Sequence, residues 1–410
     1  MNITFIVGTL TIGGIETYIS RLSKYLSKNT NITILLLSKK NSPELLKSIK
    51  NFATIYYLHD YYTNNILKKI NISYLSLIAE IDYKELLNDI GKIDYIHAVD
   101  STCSMVGLEL SSINRNIKLT IGTYHSKEYT WSSKFYFRNI EKSLFLSLPK
   151  ENIINANDEI NIYYKNIFKQ SFERCPIVPT GIDLDLYKNN IPNYKSNKII
   201  SVGRLVNFKT YNKHIINMID DINQQLNSNY EYHIYGDGPE INYLKEIAAK
   251  QKSKIIFHGT IQYDLLTKVF LDTYIFVGNG TSVVEASAAG IPSLIGIESE
   301  EETFSYGLFS DIRILSFNKK GLNIPIYSLE EEILKILKLN ESEYSIISRK
   351  SREKALEFSI EETSIKFKHT LKNSKLFMFT YNKFRYKLSL IIWLIFNRIS
   401  FIKEKSNRYL

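Results

Sequence analysis

The chain has 410 residues, 44% of them hydrophobic and 23% charged, with only 8 Pro and 17 Gly. That composition can bury cores and excludes collagenous, mucin-like and disulfide-scaffold proteins, and the length fits two domains of roughly 150 to 200 residues plus appendages. The formal charge of +10 is unevenly spread: the last forty residues hold nine cations and one anion, so the preceding 370 carry 43 cations against 41 anions and offer no basic stripe wide enough for nucleic acid.

The first forty residues predict a β-α-β opening: the apolar run NITFIVG, the loop TLTIGG, a helix from Ile15 to Leu26, then the apolar run NITILLL. Further short apolar runs follow at 53–58, 94–99, 117–123 and 152–157, separated by helical spacing, as in a doubly wound parallel sheet. Two prolines and a glycine in CPIVPTGID interrupt this pattern and place a domain boundary at 180/181. The alternation then resumes with KIISVG, YEYHIYG, KIIFHG, TYIFVG and PSLIGI, four of them ending in glycine at the strand's C-terminal edge, where ligands bind in open parallel sheets. Charged helical sequence continues to 372. The expected organisation is therefore two Rossmann-like α/β domains, 1–180 and 181–372, and a basic, apolar tail, 373–410.

The two cysteines, Cys103 and Cys175, and the opening MNITFIVGTL, without a basic or long apolar leader, point to a reducing, cytoplasmic setting. No apolar run reaches the ~20 residues that span a bilayer, so any membrane association is expected to be peripheral. Uncharged Leu388 to Phe396, flanked by Lys383, Arg385, Lys387 and Arg398, suits a helix at an anionic headgroup surface. Its apolar residues run right round the helix, however, and packing against protein is the other reading.

Several constellations carry chemistry. Gly13-Gly14 enters a helix and either lets bare backbone approach a phosphate or merely allows close packing. The dinucleotide fingerprint G-x-G-x-x-G is absent, which disfavours a nicotinamide oxidoreductase. Gly203-Arg204-Leu205-Val206-Asn207-Phe208-Lys209 places two cations just beyond a strand, a planar fork and a mobile point charge suited to a pyrophosphate. Gly236-Asp237-Gly238-Pro239-Glu240 starts a helix, with Asp237 as a possible cap. Gly278-Asn279-Gly280-Thr281-Ser282 turns from a strand into a small-residue helix carrying Glu285. Amides there suit phosphate, the two hydroxyls suit N-capping, and Glu285 suits ribose hydroxyls. Asp183-Leu184-Asp185 has D-x-D spacing but follows the interdomain turn and reads as a cap. Neither the histidines nor the cysteines have metal-ligand spacing.

Taken in order, GGIETYI, VPTGID, SVGRLVNFK, YGDGPE and GTSVVEASAAGIP resemble the group 4 family of retaining nucleotide-sugar glycosyltransferases, over roughly residues 1 to 370. The resemblance implies a GT-B fold, two Rossmann-like domains facing a cleft, with the acceptor on the first and the donor on the second. It implies that Arg204 and Lys209 hold the donor diphosphate without a metal or other cofactor, that Glu285 binds ribose, and that Gly14 and His125 lie near the reacting centre. His97 matches a family histidine of mostly structural role. One departure stands out: where many members have a second glutamate, eight residues before Glu285, this chain has Val277. Donor-sugar contacts are thus expected from Gly278, Asn279 and Gly280, with Gly203, Thr281 and Ser282 around the diphosphate.

The expected partners are a nucleoside diphosphate sugar, a lipid-linked or polysaccharide acceptor and, through 373–410, an anionic membrane surface. The setting is cytoplasmic, on the inner face of the membrane, in bacterial capsule, O-antigen or lipooligosaccharide assembly. A sugar-nucleotide epimerase of the same fold and a catalytically degenerate partner subunit are the alternatives.

Overall fold

The computed structural model describes residues 1–400 apart from 12, 71, 72, 126, 132, 133, 263 and 264, and gives only the backbone of 73 and 397–400. The tail cations Lys403, Lys405 and Arg408 lie outside the described residues, and so does the side chain of Arg398. The chain forms two compact units: residues 1–179 with 363–410, and residues 180–362.

The first unit is built on a parallel sheet of β1 (Asn2–Val7), β2 (Asn31–Leu36), β3 (Thr54–Tyr57), β4 (Tyr95–Ala98), β5 (Lys118–Thr123) and β6 (Ile153–Asn155), in the order β3-β2-β1-β4-β5-β6. These are the six apolar runs of the first half; β1, β4, β5 and β6 are buried almost throughout, as in a parallel sheet covered on both faces, whereas edge strand β3 is only partly buried. Helices Gly14–Leu26 and Ser101–Ile113 follow β1 and β4. The reversal of strand order between β1 and β4 therefore lies beside the start of both helices.

The second unit contains β7 (Lys198–Val202), β8 (Glu231–Tyr235), β9 (Ile255–Gly259), β10 (Ile275–Gly278), β11 (Ser293–Gly296), β12 (Phe304–Leu308) and β13 (Tyr327–Ser328), in the order β13-β12-β11-β10-β7-β8-β9. β12 and β13 join antiparallel and were not expected from sequence; β12 contains a glycine and two serines, and β13 has only two residues. Here the strand order reverses between β7 and β10.

The chain passes from the first unit to the second between 179 and 180 and returns to the first at 362/363. The cause is helix Ile360–Asn373, whose Phe367 is buried in the first unit, stacked on Phe5 at 5.7 Å and edge-on to His97 at 5.0 Å. The tail belongs to that unit too. Helix Lys383–Ser400 buries Tyr386 and Leu390 and packs Trp393 against Phe137 and Tyr74. The Tyr386 hydroxyl donates to the Glu141 carboxylate at 3.1 Å, which also pairs with Arg138 at 2.8 Å, so a buried charge is satisfied partly from the tail. Its opposite face is exposed: Phe384, Leu388 and Ile395 are 78, 47 and 55% exposed. The apolar residues encircle this helix because one face is core and the other is surface. No described helix is long and apolar enough to cross a membrane.

Candidate active site

In the second unit the expected site residues converge on the C-terminal edge of β7 and β10. The loop after β7 is anchored from three sides. The Gly203 amide donates to the Tyr235 carbonyl at 2.9 Å, the Leu205 amide to the Asp237 carbonyl at 2.9 Å, and the Ser299 amide to the Phe208 carbonyl at 2.8 Å. Gly236 and Gly238 exist for this contact: a Cβ on Gly236 would stand 1.9 Å from the Gly203 carbonyl oxygen, and one on Gly238 2.1 Å from that of Leu205. The YGDGPE segment thus works as a packing surface for the Arg204 loop. Its helix starts later than the sequence suggested, at Ile241, and Asp237 caps nothing beyond the Gly238 amide.

Within this loop Arg204 is exposed, whereas Lys209 folds back until its Nζ occupies the space that a side chain on Gly203 would fill, 2.5 Å from such a Cβ. Burial pushes the Lys209 ammonium down to about 8, against a raising influence from the Glu298 carboxylate. The cation is therefore poorly solvated and ready to gain from an anionic ligand. Beneath it runs a buried polar chain. Asn212 accepts from the Tyr232 hydroxyl at 2.9 Å, that hydroxyl meets Ser201 Oγ at 2.7 Å, and Ser201 donates to the Val277 carbonyl at 2.7 Å. This joins the two strands that flank the site.

After β10, helix Thr281–Ala288 starts with Gly280 in the cap position, so neither Thr281 nor Ser282 serves as the N-cap that the sequence suggested. Ser282 instead donates back to the Asn279 carbonyl at 2.9 Å. The Gly280 amide is taken by Asn318 Oδ1 at 2.8 Å, and Asn279, itself buried, points its amide toward Glu298 Oε1 at 3.5 Å. Glu285 is 3% exposed, one turn into the helix. Val277 pairs with Leu294 in the sheet and is fully buried in the core, so no carboxylate stands there. Glu298 and Asn318 were missed by sequence reasoning. They lie 19 and 39 residues beyond Asn279, in loops without local motif, and only the fold brings them in.

In the first unit Gly14 begins its helix, and a Cβ there would meet open space. His125, just past β5, is exposed and accepts from the Lys127 amide at 3.2 Å. His97 is buried between Thr120 (3.0 Å) and Tyr124 (2.8 Å), and burial pushes it down to about 3, which fits a neutral, structural imidazole. Two carboxylates gather at the start of helix Ser101–Ile113: Asp100 accepts from the Cys103 amide at 2.7 Å and Glu128 from the Ser101 amide at 3.0 Å. Burial, reinforced by Asp100, lifts Glu128 to about 7. Asp183 precedes a single 3-10 turn, Leu184–Leu186, without a side-chain capping bond, and Asp185 lies within it. Among the described residues no group of three His, Cys, Asp or Glu is placed to hold a metal ion.

Two Rossmann-like parallel-sheet units, with cations and a glycine-rich helix start at the strand reversal of the second, are the elements of the GT-B fold. Residues 185–299 match the family described as Glycosyl transferases group 1. Solved structures agree on the fold. A glycosyltransferase from Rickettsia africae is 15% identical, covering 91% of this chain and 99% of its own, with a TM-score of 0.63. HepE from Anabaena, solved with UDP and glucose, is 15% identical over the same shares, with a TM-score of 0.60. A variant of TarM from S. aureus, solved with fondaparinux, alpha-GlcNAc-glycerol and UDP, is 14% identical over 91% of this chain and 100% of its own, with a TM-score of 0.61. Comparison with curated protein sequences finds no match.

Proposed function

We propose that the chain transfers a sugar, with retention and without a metal, from a nucleoside diphosphate sugar to a hydroxyl of a lipid-linked or polysaccharide acceptor in bacterial surface polysaccharide assembly. The observation that carries this is the meeting of the Arg204–Lys209 loop with the Gly278–Glu285 turn at the β7/β10 reversal. A diphosphate placed there meets one exposed guanidinium and one poorly solvated ammonium, which stabilise the charge on the departing nucleotide. Glu285 receives ribose hydroxyls, and Gly203 and the turn from Gly278 to Ser282 lie along the phosphates, with the Gly203 and Gly280 amides themselves held by the Tyr235 carbonyl and Asn318. The presence of UDP in two structural neighbours supports a uridine nucleotide as the first donor to try.

The exposed face of helix Lys383–Ser400, bordered by the exposed Lys383 and Arg385, supports a peripheral place on an anionic inner membrane surface. A thermal-shift screen against nucleotide sugars tests the donor site, since a bound donor raises the unfolding temperature. Arg204→Ala is then expected to lower turnover by roughly 10²- to 10³-fold, the usual cost of one charge-stabilising donor; unchanged turnover contradicts the assignment. Core-buried Val277 favours one rival, a degenerate partner subunit, which predicts that no nucleotide sugar binds.

A further inference from the structure

We infer that Glu298 reads the sugar of the donor, its carboxylate accepting hydrogen bonds from the sugar's hydroxyls at the edge of β10 and β11. The inference rests on the second unit's being a nucleoside diphosphate sugar site, and adds to it a specificity residue. Glu298 is held from both loops of that site. Its own amide donates to the Asn318 carbonyl at 2.7 Å, while Asn318 Oδ1 takes the Gly280 amide, and the next residue, Ser299, donates to Phe208 in the Arg204 loop. Its side chain, partly exposed, lies at the amide of buried Asn279 and influences the Lys209 ammonium.

A carboxylate in that position is repelled by phosphate, so what it accepts from a donor must be hydroxyls. A sugar supplies them immediately beyond the diphosphate that Lys209 holds. Val277 cannot share the task, because its side chain is sealed in the core opposite Leu294.

The test compares wild type with Glu298→Gln by calorimetry at pH 6.5, below the value of about 8 at which burial holds Lys209. UDP-glucose, UDP-galactose, UDP-N-acetylglucosamine and GDP-mannose are each measured beside the bare nucleoside diphosphate. The expected result is a loss of roughly 10- to 100-fold for the sugar nucleotide, the scale of a hydrogen bond to a charged group, with bare diphosphate bound as well as before or better. Equal weakening of both would make Glu298 a support for Lys209 and overturn the inference, and so would no change in either. Deoxy analogues of the bound sugar give a second measurement on unaltered protein. One missing hydroxyl should cost wild type a similar factor and cost Glu298→Gln, which keeps only a neutral acceptor, several-fold less, whereas a wild type indifferent to every deoxy sugar refutes the role. Failure of folded wild type to bind any of the four would refute the donor site itself and the inference with it.

Discussion

Raising the pH from 7 to 9 is expected to weaken donor binding through one ammonium. Burial holds Lys209 at about 8, so the free protein carries its charge in about ten molecules of eleven at pH 7, half at pH 8 and about one in eleven at pH 9. A sugar diphosphate diester does not change its own phosphate charge over that range. With only the charged lysine gripping it, affinity falls about tenfold between pH 7 and pH 9, most of it above pH 8. The bound anion raises the lysine's proton affinity, so binding near pH 8 takes up about half a proton, visible by calorimetry in buffers of different ionisation enthalpy. Lys209→Arg should abolish both effects, because guanidinium stays charged throughout. A flat affinity profile in wild type, or proton release on binding, would refute the reasoning.

Three further outcomes follow from the geometry. Gly236→Ala places a methyl 1.9 Å from the Gly203 carbonyl, at a φ of +145°, and should destabilise the second unit by about 2 kcal/mol or more in urea unfolding, whereas Gly14→Ala, facing open space, should leave stability within about 1 kcal/mol. Glu128, lifted in the folded chain to about 7, binds its proton more tightly there than when unfolded; its contribution is present below about pH 4.5 and lost as pH rises through 7. Glu128→Gln should therefore raise the first unit's stability by about 1 to 3 kcal/mol at pH 8 and change little at pH 4.5, followed by differential scanning calorimetry. Ile391→Glu with Ile395→Glu, on the exposed face of the tail helix, should abolish binding to phosphatidylglycerol vesicles without lowering the melting temperature. Vesicle binding that survives would refute the membrane role of that face.

Eleven parallel strands were legible as short apolar runs bounded by glycine or polar turns, the central ones because they are buried on both sheet faces and the edge strands β3 and β9, only partly buried, through their β-branched and aromatic residues. Strands β12 and β13 were not, since a sheet edge tolerates Ser305, Gly307 and a two-residue pairing that no local pattern announces. The loop cations and the helix start after β10 were visible as local motifs. Glu298 and Asn318 were not, because tertiary placement alone makes them part of the site. Phe367 was readable as a helical apolar residue, but nothing near it in sequence reveals that its partners are Phe5 and His97, hundreds of residues earlier. The tail's apolar ring was misleading for a related reason: it superposes a packed face on an exposed one.

The return of residues 363–410 to the first unit sets an order of birth for the two halves. The second unit is one uninterrupted stretch, 180–362, and has all its residues once that stretch has left the ribosome. The first unit, although its six strands are made earlier, waits for Phe367 to cover Phe5 and for Tyr386 to reach Glu141. The amino-terminal half is therefore the last to be completed. The same arrangement makes residues 180–362 a cassette with two junctions: exchanging the second unit with that of a relative requires cuts at 179/180 and 362/363, and a single crossover leaves the first unit without its own closing segment.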